Sequence, residues 1–151
     1  MSARSTQDRT ASYQLACGTI TAMPLIYMVL ATALKNAGII PPGGLGDFDP
    51  EAVPIISMAL LVGGTVSSTA SIAVKKILLK TLEARGQDAG ARFKIALISI
   101  ALSESGAVMG LALMLLTGDL RYGGLLCGLS FAITCFHFPS RYWLEQGNPV
   151  V

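Results

Sequence analysis

The sequence predicts an all-α integral membrane bundle of four transmembrane helices, and three observations carry that reading. Charged residues are only 13% of the chain and hydrophobic residues 52%, whereas a soluble domain carries roughly 25% charged residues. Long uncharged stretches recur, parted by clusters of glycine, proline and charge, which sets the chain in the membrane class. One of them, Ile95 to Leu116, is about 22 residues long, enough for a single helix to cross a bilayer.

The elements follow in order. The polar, mixed-charge residues Met1–Ser12 lead into a full-length span without a small-residue cleavage site, so no cleaved signal peptide is expected. The first helix covers Tyr13–Leu34 and holds Pro24, which removes one backbone hydrogen bond and should bend it. Gly38, Pro41, Pro42, Gly43, Gly44, Gly46 and Pro50 then make a surface loop, acidic through Asp47, Asp49 and Glu51. It lacks the lysine and the preceding strand of a phosphate-binding loop. The second helix covers Pro54–Val74. Gly63, Ser67 and Ser71 recur every fourth residue beside Gly64, a line of small side chains that admits close helix packing in lipid. A polar path along Thr65, Ser68 and Thr69 is the weaker reading of that helix.

Lys75–Lys94 is the most charged segment. Ile77, Leu78 and Leu79 among its lysines could continue the second helix beyond the membrane before Gly86 and Gly90 provide a turn. The third helix, Ile95–Leu116, carries a second close-packing line at Gly106 and Gly110. A link through Gly118 and Asp119 leads to the fourth, Tyr122–Phe138, which Pro139 ends. Tyr142 and Trp143 beside Arg141 read as an interfacial belt. The four spans, 13–34, 54–74, 95–116 and 122–138, form a single domain, 1–151. They put every lysine and arginine except Lys35 and Arg121 on one side, so both termini are expected in the cytoplasm.

Glu104 lies near the middle of the third helix. An ionised carboxylate there costs at least roughly 2.5–3.5 kcal/mol, so a helix keeps it only if it is neutral, paired or working. Ser103 and Ser105 flank it and complete a candidate ion-binding set. Neighbours in sequence point to different faces of a helix, so Ser103 and Glu104 make poor geometry for a catalytic dyad. The alternative is a structural carboxyl hydrogen-bonded to a neighbouring helix or subunit. His137, the only histidine, is a possible ligand for a pigment or haem shared across subunits, or an interfacial residue favoured by the helix dipole. Cys17, Cys127 and Cys135 lack metal or redox spacing and read as small buried hydrophobes. No catalytic set, metal site or cofactor is indicated. The formal charge of +2 does not suggest nucleic acid.

The run Ala101-Leu102-Ser103-Glu104-Ser105-Gly106-Ala107-Val108-Met109-Gly110-Leu111 resembles the carboxylate helix of the proteolipid (c) subunits of rotary ATPases. With the small-residue helix and the basic loop, the resemblance spans about residues 54–117. It implies Glu104 as a proton- or sodium-binding carboxylate and Gly63, Gly64, Ser67 and Ser71 as a packing line. The chain departs from that family in its loop, Arg85-Gly86-Gln87-Asp88, and in its two flanking helices. The whole chain also resembles small uncharacterised bacterial four-helix membrane proteins, with the Ser-Glu-Ser-Gly motif and the ending His137-Phe138-Pro139. That resemblance implies no activity.

The sequence therefore leads to a non-catalytic, multi-pass membrane subunit, expected in a bacterial inner membrane. It would assemble through the small-residue faces of its second and third helices, with lipids, other membrane subunits or copies of itself as partners. The alternative is a proteolipid-like ion carrier using Glu104.

Overall fold

The computed structural model describes the backbone of residues 3–85 and 89–140 and the side chains of residues 11–84 and 90–140. The turn at Gly86 and the belt of Arg141, Tyr142 and Trp143 lie outside the described residues. Four α-helices and no strand occur among the described residues: α1 Ala3–Asn36, α2 Ala52–Arg85, α3 Ala89–Thr117 and α4 Leu120–His137. Three of them, α1, α2 and α3, are long and apolar enough to cross a membrane.

The helices outrun the spans read from hydropathy. α2 continues to Arg85 rather than stopping at Val74, and α3 begins at Ala89 rather than Ile95. Hydropathy marks where hydrocarbon ends, whereas backbone hydrogen bonding ends only at a breaker, and none lies between Val74 and Arg85. α1 likewise begins at Ala3 and continues through the buried Pro24.

α3 and α4 form the centre of the bundle. Each touches all three other helices, whereas α1 and α2 share no contact among the described residues. α3 and α4 thus lie between α1 and α2. Of the apolar stretch of α3, 44% is buried inside the bundle, against 17% for α1 and for α2. The outward faces of those two remain apolar, with Leu15, Ile26 and Val29 on α1 and Ile55, Val62 and Val66 on α2 all exposed. In water such a shell would be an aggregation surface. Against lipid it is the natural exterior.

Glycine sets the spacing at the centre. A Cβ on Gly106 would sit 2.7 Å from the carbonyl oxygen of Gly64, and one on Gly110 would sit 2.7 Å from that of Gly123. Two backbones thus approach α3 from α2 and from α4, as close packing in lipid requires. The chain's own helices pack against Gly64, Gly106 and Gly110. On α2 the close face runs through Gly64, Ser68 and Ser71, all buried, while Gly63 and Ser67 are half-buried at its edge. A Cβ on Gly63 would meet the Met109 sulfur at 3.3 Å.

The α1–α2 loop is bound down. Leu45 N–H donates to the Leu115 carbonyl at 2.7 Å and Gly46 N–H to that of Leu116 at 3.2 Å, satisfying two orphan acceptors at the end of α3. The Lys35 ammonium donates to the carbonyl of Gly118. Gly44 adopts φ +86°, and a side chain there would strike the Leu116 carbonyl. At the start of α4, the Asp119 side chain accepts from Arg121 N–H at 2.8 Å, an N-cap.

Candidate functional site

Glu104 is half-buried on α3, at the seam with α1. Ala101 and Val108, one turn before and one turn after it, are exposed, while Ile100 and Ala107 on its other flank are fully buried. The carboxyl therefore lies on the border between the packed interior and the outer surface. The Tyr27 hydroxyl of α1 donates to its Oε1 at 3.0 Å. The Tyr27 ring packs against the small core of Ala31, Ala107, Met114 and Cys127, which fixes the height of the hydroxyl. Oε2 takes no hydrogen bond from the described residues.

The flanking serines do not join the carboxyl. Successive helical residues lie about 100° apart, so Ser103 faces inward when Glu104 faces the seam. Ser103 is fully buried and donates to the Ser130 carbonyl of α4 at 3.2 Å. Its own carbonyl accepts from Ser68 of α2 at 3.1 Å and from Ser130 at 2.6 Å. Ser105 donates back to the Leu102 carbonyl of its own helix at 2.7 Å. The three residues of the ion-binding set thus have three separate sets of partners.

Ser103 is instead the hub of a buried hydroxyl cluster that joins α2, α3 and α4. Thr134 reaches the Ser103 hydroxyl at 3.2 Å and the Ser130 carbonyl at 2.7 Å, so its one proton is shared between two acceptors. One turn further on, Ser71 donates to the Ser68 carbonyl at 2.6 Å, and its oxygen lies 2.8 Å from Nε2 of His137. The direction of that bond follows the tautomer of the imidazole. His137 is 2% exposed, with its ring held inside the bundle.

Sequence reasoning missed Tyr27, Ser130 and Thr134. Tyr27 carried no signal, being 77 residues from Glu104 along the chain. The other two did carry one. Ser130, Thr134 and His137 repeat at i, i+4 and i+7 in a helix that is apolar from Gly123 onward apart from them, which is one polar face. Thr65 and Thr69 are exposed, and Thr69 bonds to the Thr65 carbonyl of its own helix at 2.8 Å, whereas Ser68 is buried and bonds to the Ser103 carbonyl. Of the cysteines, Cys17 and Cys127 are buried and Cys135 is exposed, which corrects the expectation for the third. No cluster of histidine, cysteine or carboxylate side chains able to hold a metal occurs among the described residues. No family model, curated protein or solved structure matches the chain.

Proposed function

We propose that this chain is a non-catalytic, four-span subunit of a larger energy-converting or transport complex in a bacterial inner membrane. The observation that carries the reading is the fastening of Glu104 to α1 through the Tyr27 bond to Oε1, with Oε2 taking no hydrogen bond from the described residues. An interhelical bond of this kind contributes about 0.6 kcal/mol on average. That falls well short of the roughly 2.5–3.5 kcal/mol that a charge costs at mid-membrane. The site calls for a proton or a second partner at Oε2, and a donor from a neighbouring subunit would serve. The docking face is then the α1–α3 seam, since the small-residue faces are occupied within the chain.

α4 is the fourth span in this reading. Its 18 residues reach about 27 Å at 1.5 Å per residue, close to the hydrocarbon thickness. With four spans, both termini and the basic Lys75–Lys94 segment share the cytoplasmic side.

A second reading, a proteolipid-like proton or sodium carrier using Glu104, is favoured by one observation. The carboxyl lies beside exposed Ala101 and Val108, where a moving partner or water could reach it. One experiment separates the two. The complex is purified in mild detergent, its subunits are identified, and Glu104→Gln is assayed for assembly and ion movement. A subunit role is expected to give a defined larger assembly that survives the Gln variant with its transport unchanged. An intact complex that has lost ion movement would establish the carrier, and a chain purifying alone would remove the subunit reading.

A further inference from the structure

We propose that the groove between the ends of α2 and α4 is a binding site for an anionic phospholipid. The two helices end at different levels. α4 stops at His137, where Lys75 of α2 donates to the His137 carbonyl at 3.4 Å, while α2 continues to Arg85. The step leaves a groove of about 550 Å³, whose apolar lining includes Ile72, Leu79, Ile133 and Phe136. Lys75, Lys76 and His137 line it as well, and of these Lys76 is exposed while His137 is buried. Phe136 is 86% exposed, an aromatic ring with nothing of the described chain over it.

Position and charge select the occupant. Hydrocarbon accommodates about 20 helical residues. Counted from Pro54 these end near Val74, which sets Ile72 and Ile133 at the depth of acyl chains and Lys75 and Lys76 at the depth of phosphates. The Lys75 charge lies at the C-terminal carbonyls of α4, where a cation offsets the helix dipole. Lys76 is exposed, with the exposed Lys80 one turn beyond it. A phosphodiester bearing one negative charge and two acyl chains matches both parts, one chain lying along the groove and the phosphate near Lys76. A zwitterionic lipid fits the groove but brings no net charge to the lysines. The site is independent of the role proposed for Glu104.

The test uses the full chain in detergent, exchanged with phosphatidylglycerol or phosphatidylcholine of identical acyl chains, with retained lipid counted by native mass spectrometry. Wild type is expected to retain phosphatidylglycerol in preference. Lys76→Gln should reduce that preference about fivefold, the effect of one basic residue near the surface. Ala132→Phe, which fills the groove from an exposed position on its wall, should reduce retention of both lipids. Both variants should melt as wild type in lipid-free detergent, showing intact folds. Equal retention of the two lipids by wild type, or a preference untouched by both variants, would overturn the proposal. A chain ending at Ser140 that alone acquires the preference would assign the groove to the C-terminal segment instead.

Discussion

Tyr27 and Glu104, 77 residues apart, meet through a 3.0 Å hydrogen bond that ties the first helix to the carboxyl of the third. The bond makes α1 part of the site rather than an appendage to a hairpin, and it can be removed from either end. Tyr27→Phe keeps the ring and deletes the donor, so a loss of about 0.6 kcal/mol is expected in detergent unfolding. Glu104→Gln keeps an acceptor and should change stability little. Glu104→Leu strands the Tyr27 hydroxyl and should cost more, about 1–2 kcal/mol. Equal stability of all three with wild type would show that the bond contributes nothing.

The glycine spacing at the centre gives a paired test. A Cβ at position 106 meets backbone on α2, so Gly106→Ala should destabilise by about 1–3 kcal/mol through forced separation of the helices. At Gly128 an added Cβ meets nothing within 4 Å. Gly128→Ala should therefore be neutral or stabilising by up to about 1 kcal/mol, from helix propensity alone. Thermal melting of the two variants side by side checks the contrast.

Ser103 and Thr134 share a bond, and their effects should not add. Ser103→Ala removes two interhelical bonds, the one to the Ser130 carbonyl and the one from Thr134, and Thr134→Ala removes one, at about 0.6 kcal/mol per bond. The double variant should cost less than the sum, because the second change removes a group whose partner has already gone. Strict additivity in unfolding measurements would mean that the two hydroxyls do not interact.

Topology can be read by labelling a chain whose Cys17, Cys127 and Cys135 are replaced by alanine. A membrane-impermeant thiol reagent applied to intact cells should reach Gly43→Cys and miss Lys80→Cys. Both residues are exposed, and a side chain at Gly43 meets nothing within 4 Å. The reverse pattern would turn the molecule over and move the lysine-lined groove to the outer leaflet.

The helices were legible in the sequence because long apolar runs between glycine and proline clusters leave few alternatives. Their ends were less so. Ile77, Leu78 and Leu79 alternate with lysines, and a window tuned to hydrocarbon stops there although the helix does not. Within the candidate site, the sequence singles out Glu104 through the cost of its charge, but the cost does not name a partner. Tyr27 could be found only once α1 was packed on α3. Of the small-residue set on α2, Gly64 and Ser71 lie on the buried face and Ser68 joins them, while Gly63 and Ser67 stand half-buried at its edge. Gly63 with Ser67 and Gly64 with Ser68 have the same spacing, and the sequence carries nothing that fixes which pair faces α3.

The absence of any contact between α1 and α2 among the described residues has a consequence for biosynthesis. Chains emerge N-terminus first, so α1 enters the bilayer long before α3 and α4, the helices it packs against, have been made. When α2 follows, it offers α1 no surface. Until Glu104 has left the ribosome, Tyr27 has no carboxyl to bond, and the first helix waits as a solitary span, exposed to whatever chaperone or protease patrols the insertion site. Arrest of translation after α2 and before α3 should therefore yield two unassociated helices and rapid degradation, whereas arrest after α4 should yield a stable bundle.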